Sequence, residues 1–515
     1  MSEPASNNRL LLLGLGLATW MEFYTYDGVN LVLPDMAGVF GLSQDQASWI
    51  LTIYLAALLY GVPVSIWMAA HIGYRRYIIA STAGFAVASA GCFLAPDFRF
   101  LLACRAVQGF AGAGLIMWWR AAVYMLFTGP PRSASLKRIS VILYLGTAAG
   151  LLFCGWITDH YGWRPIFLPN LFCAPIAIAL LRGHFPNVPP PVQARATDRP
   201  SLILLAVALV SLQIMLSRGD IDGWFISARI QSLAWISAAM LAAFTIWQLS
   251  PANQAPLLQL RLVANRNLQA AIFLGLFAGL ILSGSLYAMP EFLRNTFPTP
   301  LSATQTGRIM CIYALTAACI RPLVTPAIAR FGARKVISFA FLALIAAMLT
   351  AWRLMTVQTP PVFYALPLVL YAFCLAPMLS AIGSGAVSKL PGPSQLDAVA
   401  IYMSFRQFGA ALGITFVTTL LNWRETLHSA RLFEALGPHN VSRAGWLANI
   451  TQSVMARGGE PPIMARQMAL ALLSSETVRQ TDTLAYADAF LCMAGVGILA
   501  LGGVALMAPS PVARK

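Results

Sequence analysis

Apolar runs of about 20 residues, each long enough to cross a bilayer as a helix, recur along the whole chain and are separated by short polar turns. The pattern predicts helices near 10–33, 47–70, 77–95, 100–127, 139–158, 165–181 and 200–216, then near 230–249, 268–290, 303–328, 336–353, 361–387, 399–421 and 488–508. Fourteen such spans would put both termini on one side. The opening MSEPASNNR leads into a span that carries Glu22 and Asp27 and shows no small-residue cleavage site, so it reads as a retained first helix. Two polar stretches interrupt the rhythm. GHFPNVPPPVQARATDRPS at 183–201 is proline-rich and should be stiff and extended. The stretch 422–487 is polar but keeps helical spacing of Leu, Met and Ala, and should form a small helical cap. A weak repeat is visible in the connectors AAHIGYRR, after the second span, and AIARFGARK, after the tenth, as expected where two similar helical bundles face each other about a midplane site.

Composition makes the membrane reading firm. Hydrophobic residues are 58% of the chain and charged residues 10%, against roughly 25% charged in a soluble domain. The net charge of +16 does not point to nucleic acid, because the basic residues are scattered between apolar runs rather than gathered on a soluble face. It works as a topology signal instead. One set of loops and ends holds seventeen Lys and Arg, including Arg9, Arg75, Arg76, Lys137, Arg138 and Lys335, while the short loops of the other hold seven arginines. The first side, with both termini, is therefore expected to be cytoplasmic. All eight cysteines lie in apolar runs without metal spacing and read as packing residues.

The strongest local motif is LLACRAVQGFAGAG at 101–114, where Gln108, Gly109 and Gly112 lie within about 60° of Arg105 on a helical wheel. An arginine in the hydrocarbon core costs several kcal/mol unless it faces the bundle interior or a water-filled cavity; snorkelling to the interface is the alternative. The next span carries GTAAGLLFCG, with Gly146, Gly150 and Gly155 spaced for close helix packing. Further motifs are DHYGWRPIFLPN at 159–170, LSRGDIDGWF at 216–225 and YMSFRQFGAALG at 402–413, which places Arg406 and Gly409.

Together these stretches resemble the 14-helix drug:proton antiporters of the major facilitator superfamily over nearly the whole chain. The subgroup most resembled is the EmrB-type pumps of Gram-negative bacteria. The resemblance implies an all-α integral membrane fold of two six-helix bundles plus two inserted helices, placed in a bacterial inner membrane. It divides the chain into 1–182, the first bundle; 183–199, a cytoplasmic linker; 200–250, an inserted pair; 251–421, five helices of the second bundle; 422–487, an external loop; and 488–515, a last helix and tail. It makes Arg105 the residue tied to proton exchange and Gly146, Gly150 and Gly155 the exporter motif. It also implies a periplasmic adaptor and an outer-membrane channel as partners; a plain external loop with no partner stays open. The copy departs from the family pattern: Leu151 replaces a proline and Cys154 a glycine, and Ala70 and Ala329 replace the aspartate of the connector motif. The remaining gate candidates are Gly73, Arg75, Arg76, Gly332 and Arg334, with the basic residues suited to phosphate headgroups.

Candidate proton carriers are Asp27 first and Glu22 second; five residues apart, they lie about 140° around a helix and cannot share a face. Permanent pairing with an arginine is the alternative for each. Asn30, Gln108, Trp119, Arg120, Arg321 and Arg406 are expected around the substrate cavity. The embedded cations suggest lipophilic anions or weak acids, with fixed ion pairs to Glu22 and Asp27 left open. An enzyme is disfavoured by five histidines in loops without HEXXH, an acid cluster or a nucleotide loop. No cofactor or metal is expected, and protons, a small molecule and the bilayer are the partners implied. An exporter is the leading expectation; a proton-coupled importer of an organic solute with the same fold is the alternative.

Overall fold

A computed structural model describes residues 5–187, 198–253, 256–297, 299–386, 390, 392–435, 441–458 and 461–507. Residues 188–197 of the proline-rich stretch, Lys389 and the basic end Arg514 and Lys515 lie outside the described residues. Every helix except Val441–Gly458, which lies in the polar stretch, follows an apolar run. The helices are α1 Ala5–Phe40, α2 Gln44–Ile72, α3 Tyr74–Leu94, α4 Phe98–Leu126, α5 Gly129–Tyr161, α6 Leu168–His184, α7 Arg199–Arg218 and α8 Ala228–Leu249. There follow α9 Arg266–Asn295, α10 Ala303–Phe331, α11 Ala333–Leu354, α12 Ala365–Ala386, α13 Gly392–Ala435, α14 Val441–Gly458 and α15 Pro462–Gly503. The fourteen expected spans correspond in order to α1–α13 and α15.

Twelve helices among the described residues are long and apolar enough to cross a membrane. The two that fall short of that apolarity, α1 and α13, carry Glu22, Asp27 and Asn30 and Arg406 and Gln407 respectively. Asp27, Asn30 and Arg406 lie where the two bundles meet, while Glu22 turns into the first bundle. Large apolar side chains elsewhere face outward, such as Val87 at 70% exposure, Phe172 at 72% and Trp235 at 75%. In water such a surface would aggregate, whereas in lipid it costs nothing.

In the first bundle α1 packs on α5 and α6, α4 on α2 and α3, and α3 on α6. In the second, α9 packs on α13 and α15, α12 on α10 and α11, and α15 on α11. The bundles meet mainly through α5 against α10 and α2 against α13. The inserted α7 lies on α2 and carries α8 against it.

The internal repeat is structural as well. Helices α2 and α10 both open with a reciprocal capping box, Ser43 with Gln46 and Ser302 with Gln305. Both close on a glycine with positive φ, Gly73 at 91° and Gly332 at 82°, a conformation that a Cβ disfavours. The ends where these glycines turn carry Arg75, Arg76, Arg334 and Lys335 and are called the basic end below. At the opposite end α13 and α15 run on: 44 and 42 residues at 1.5 Å rise make rods of about 66 and 63 Å, roughly twice the hydrocarbon thickness. Asp488 of α15 ties these extensions together, 2.8 Å from His428 and 3.4 Å from Arg424 of α13.

Candidate functional site

The middle of the first bundle holds a connected polar chain in an otherwise apolar core. Glu22 on α1 accepts a hydrogen bond from the Tyr54 hydroxyl of α2 at 3.0 Å. The Tyr54 ring carries the Arg105 guanidinium on its face, 4.1 Å from its centroid. Arg105 donates to the Ile50 carbonyl at 3.3 Å and to Gln108 Oε1 at 2.6 Å. Gln108 donates to Ser89 of α3 at 2.8 Å, and Asn170 of α6 donates to both Ser89, at 3.1 Å, and Thr25 of α1, at 2.8 Å. Five helices thus contribute to one string of side chains, with Arg105, Gln108 and Asn170 fully buried.

Arg105 therefore faces the bundle interior rather than snorkelling. Its Nη2 is buried without a partner, leaving one donor unused beside Glu22. A buried unpaired donor is costly and marks a position where a charge or a ligand can enter.

Asp27 occupies the other face of α1, as its angular separation from Glu22 requires. The hydroxyls of Thr147, from α5, and Tyr313, from α10, lie beside its carboxylate, so it sits on the seam between bundles. Asn30, one turn on, donates across the same seam to the Leu286 carbonyl of α9 at 3.3 Å. Neither acid forms a salt bridge with Arg120 or Arg321 among the described residues.

Nearer the basic end, Phe23, Trp119, Arg120, Tyr144, Met403 and Arg406 line a void of 20 Å³. Arg120 stacks on Trp119 at 4.8 Å and points Nη1 at the Met403 sulfur, 4.0 Å away. Arg321 is buried, with Nε and Nη1 lacking partners, and its charge acts on Tyr144 and Arg120. Arg406 lacks a partner at Nε and acts on Arg120 from α13. Three cations from α4, α10 and α13 thus converge on one region, where each acts on the charge of the next.

The expected packing glycines sit at helix crossings. A Cβ on Gly109 would strike the Tyr54 carbonyl, one on Gly150 the Tyr24 carbonyl, one on Gly155 the Ala303 carbonyl and one on Gly409 the Leu276 carbonyl. Gly112 and Gly146 face Tyr54 and Trp20 side chains at 3.2 and 2.8 Å. Gly155 differs from the rest because its close neighbour belongs to the other bundle. Of the gate candidates, Gly73 and Gly332 form the turns described above. Arg76 and Arg334 are exposed and Arg75 half-buried, and no salt bridge holds them among the described residues.

Sequence reasoning missed the ties at the opposite end. Arg294 on α9 grips Asp35 of α1 at 2.7 and 3.1 Å and donates to the Leu31 carbonyl at 2.9 Å. Asp159 of α5 accepts from the backbone N–H groups of Ala303 and Thr304 at 3.3 and 2.8 Å, a carboxylate on the N-terminus of α10. It also missed Tyr54, Ser89, Thr147 and Tyr313; a hydroxyl inside an apolar run is their only signal, and many runs have one.

The Major Facilitator Superfamily model matches residues 15–414. The chain is 25% identical over 503 residues to the multidrug export protein EmrB of Escherichia coli strain K12, covering 96% of this chain and 94% of that protein. It is 25% identical over 461 residues to the fatty acid resistance protein FarB of Neisseria gonorrhoeae, with 87% of each chain covered. Among solved structures it resembles the human organic anion transporter MFSD10, with TM-score 0.60, 15% identity and coverage of 98% and 100%. A family match over most of the length, an all-helical pair of bundles and a buried charged seam agree: the chain belongs to the major facilitator superfamily, a family of multi-pass membrane transporters.

Proposed function

We propose that the chain is a proton-coupled exporter, an antiporter of small amphipathic or lipophilic compounds in a bacterial inner membrane. The observation that carries the reading is the placement of two carboxylates and an arginine in the lipid-shielded core. Glu22 shares a tyrosine with Arg105, and Asp27 spans the seam between bundles. Moving one bundle against the other changes what faces Asp27, because one partner lies on each side. A carboxylate whose surroundings alternate between desolvation and hydrogen bonding takes up and releases a proton in step with that motion. The export direction rests on the relatives named above as a multidrug export protein and a fatty acid resistance protein. Convergence of Arg120, Arg321 and Arg406 on the central path favours organic anions and weak acids.

In this reading the basic end is cytoplasmic, and Arg75, Arg76 and Arg334 lie at headgroup level there. The long extensions of α13 and α15, with α14, then stand outside, where α15 exposes Ile463, Met464, Met468 and Leu472 at helical spacing. An apolar stripe on an external helix suits a partner protein such as a periplasmic adaptor leading to an outer-membrane channel.

The test is proton efflux from inverted membrane vesicles, followed by a pH-sensitive dye while lipophilic weak acids and cations are added. Compound-driven proton movement in the parent, lost in Asp27→Asn and Arg105→Ala, is the expected result. Correctly inserted protein that moves no protons with any compound would point to import or to another coupling ion.

A further inference from the structure

At the end opposite the basic turns lies a cleft of 360 Å³ between α1, α2, α7, α9 and α13, separate from the central void. Its lining mixes apolar side chains, Leu33, Leu51 and Ile414 among them, with hydroxyls such as Thr52 and Thr415, and Tyr287 adds an aromatic side chain. The charged side chain in its lining is Glu291 of α9, half-buried, which accepts from Asn295 at 2.6 Å. Gln213 of α7 also faces it, 2% exposed; its amide donates to Ser217 at 3.1 Å, while its Oε1 has no hydrogen-bond partner. Among the described residues no lysine or arginine lines the cleft; Arg294, one turn beyond Glu291, grips Asp35 and its charge also acts on Glu291 from outside the cleft.

We infer that this cleft is a binding site for an amphipathic organic cation bearing N–H donors. The chemistry is complementary on each count. A buried amide oxygen without a partner favours a donor, because a ligand N–H relieves a desolvation cost already incurred. A carboxylate beside an apolar wall favours a cation with a hydrophobic body, and Tyr287 offers its ring to the same charge. An organic anion, the ligand class suited to the three central arginines, would meet the Glu291 carboxylate here and no cationic side chain in the lining. The volume lies in the range of small-molecule pockets.

The site also gives the inserted pair a chemical part. Gln213 and Ser217 come from α7, outside the two-bundle repeat, while Leu33, Glu291 and Ile414 come from the repeat itself. Walls drawn from both bundles make occupancy sensitive to their relative position, so a bound cation stabilises the arrangement seen here over one in which this end parts.

The test is equilibrium binding of dansylcadaverine, an aromatic primary ammonium, to the purified full chain in detergent, read by dansyl fluorescence. Neutral dansylamide serves as control. Glu291→Gln and Gln213→Leu are each expected to weaken dansylcadaverine by about tenfold, the loss of one hydrogen bond to a charged partner, with melting temperatures close to the parent. Dansylamide should be insensitive to Glu291→Gln. Undiminished dansylcadaverine affinity in both variants, or its loss in Arg120→Gln instead, would overturn the assignment. Because no transport is measured, the outcome is independent of whether protons are coupled.

Discussion

At the scale of single residues, one polar string and one seam carboxylate hold the chemistry, and they can be separated by substitution. Glu22→Gln keeps an oxygen that can accept from Tyr54, so folding should be preserved, but a carboxamide carries no exchangeable charge. If Glu22 carries a proton, compound-driven proton flux in vesicles should fall to that of protein-free vesicles; flux unchanged in Glu22→Gln and abolished in Asp27→Asn would leave Asp27 as the carrier. The glycines give a different contrast. Gly150→Ala drives a Cβ into the Tyr24 carbonyl and should cost about 1–3 kcal/mol of stability. Gly495→Ala meets nothing within 4 Å and should be neutral or slightly stabilising. Thermal melting in detergent checks both. Arg105, Gln108 and the packing glycines could be read from the sequence because charged and small residues inside apolar runs are rare and expensive. Tyr54, Ser89, Asn170 and Tyr313 could not, since polar residues that cost little in lipid leave no comparable mark.

At the scale of elements, the apolar rhythm gave the helices in order, with ends that extend beyond the bilayer-length runs because polar caps continue the same backbone. The inserted pair shows how such an element is fixed. Asp198 sits just before α7 and accepts from Ser201 at its own helix start, from Trp247 and Gln248 at the far end of α8 and from Asn253 just beyond it, at 2.8–3.1 Å for the latter three. Burial works to raise its pKa, but these hydrogen bonds outweigh it and hold the carboxyl below its ordinary 3.8. A depressed carboxylate contributes stability that is fully present above its ordinary pKa and lost as pH falls through the lower folded value. Asp198→Asn should therefore lower the melting temperature by a margin that is constant from pH 8 to about pH 5 and narrows only below the ordinary carboxylate range. A margin that already shrinks between pH 8 and 6 would mean the stabilising charge is elsewhere. Nothing in the sequence motif LSRGDIDGWF or the proline-rich stretch pointed to this hub, because its partners lie some 50 residues apart in the chain.

At the scale of the whole molecule, the two-bundle plan was legible from the repeated connector and from the family motifs, while the way the bundles are locked together was not. The opposite end is closed by two carboxylates of the first bundle reaching into the second: Asp35 onto Arg294, and Asp159 onto the first N–H groups of α10. A paired arginine with charge-assisted bonds contributes about 1.5–3 kcal/mol, and a carboxylate at a helix N-terminus about 0.3–1 kcal/mol, up to ~2 when partly buried. Their sum is comparable to the few kcal/mol that separate the conformers of a two-state protein. Gly155 against Ala303 and Gly307 against Leu151 supply close packing at the same end but no charge, so they add contact without an ionic tie. Removing both ties by Arg294→Ala with Asp159→Ala should shift the population toward a form open at this end. Nitroxide labels at the exposed Val39 and Thr299, in a background lacking the exposed Cys319, report the change. Their distance distribution should move to longer values in the double variant and by smaller amounts in each single one, because the two ties lie on different helix pairs and act independently. An unchanged distribution in the double variant would mean that packing alone closes this end, and the ion pair and the capped helix would then be bystanders to the motion.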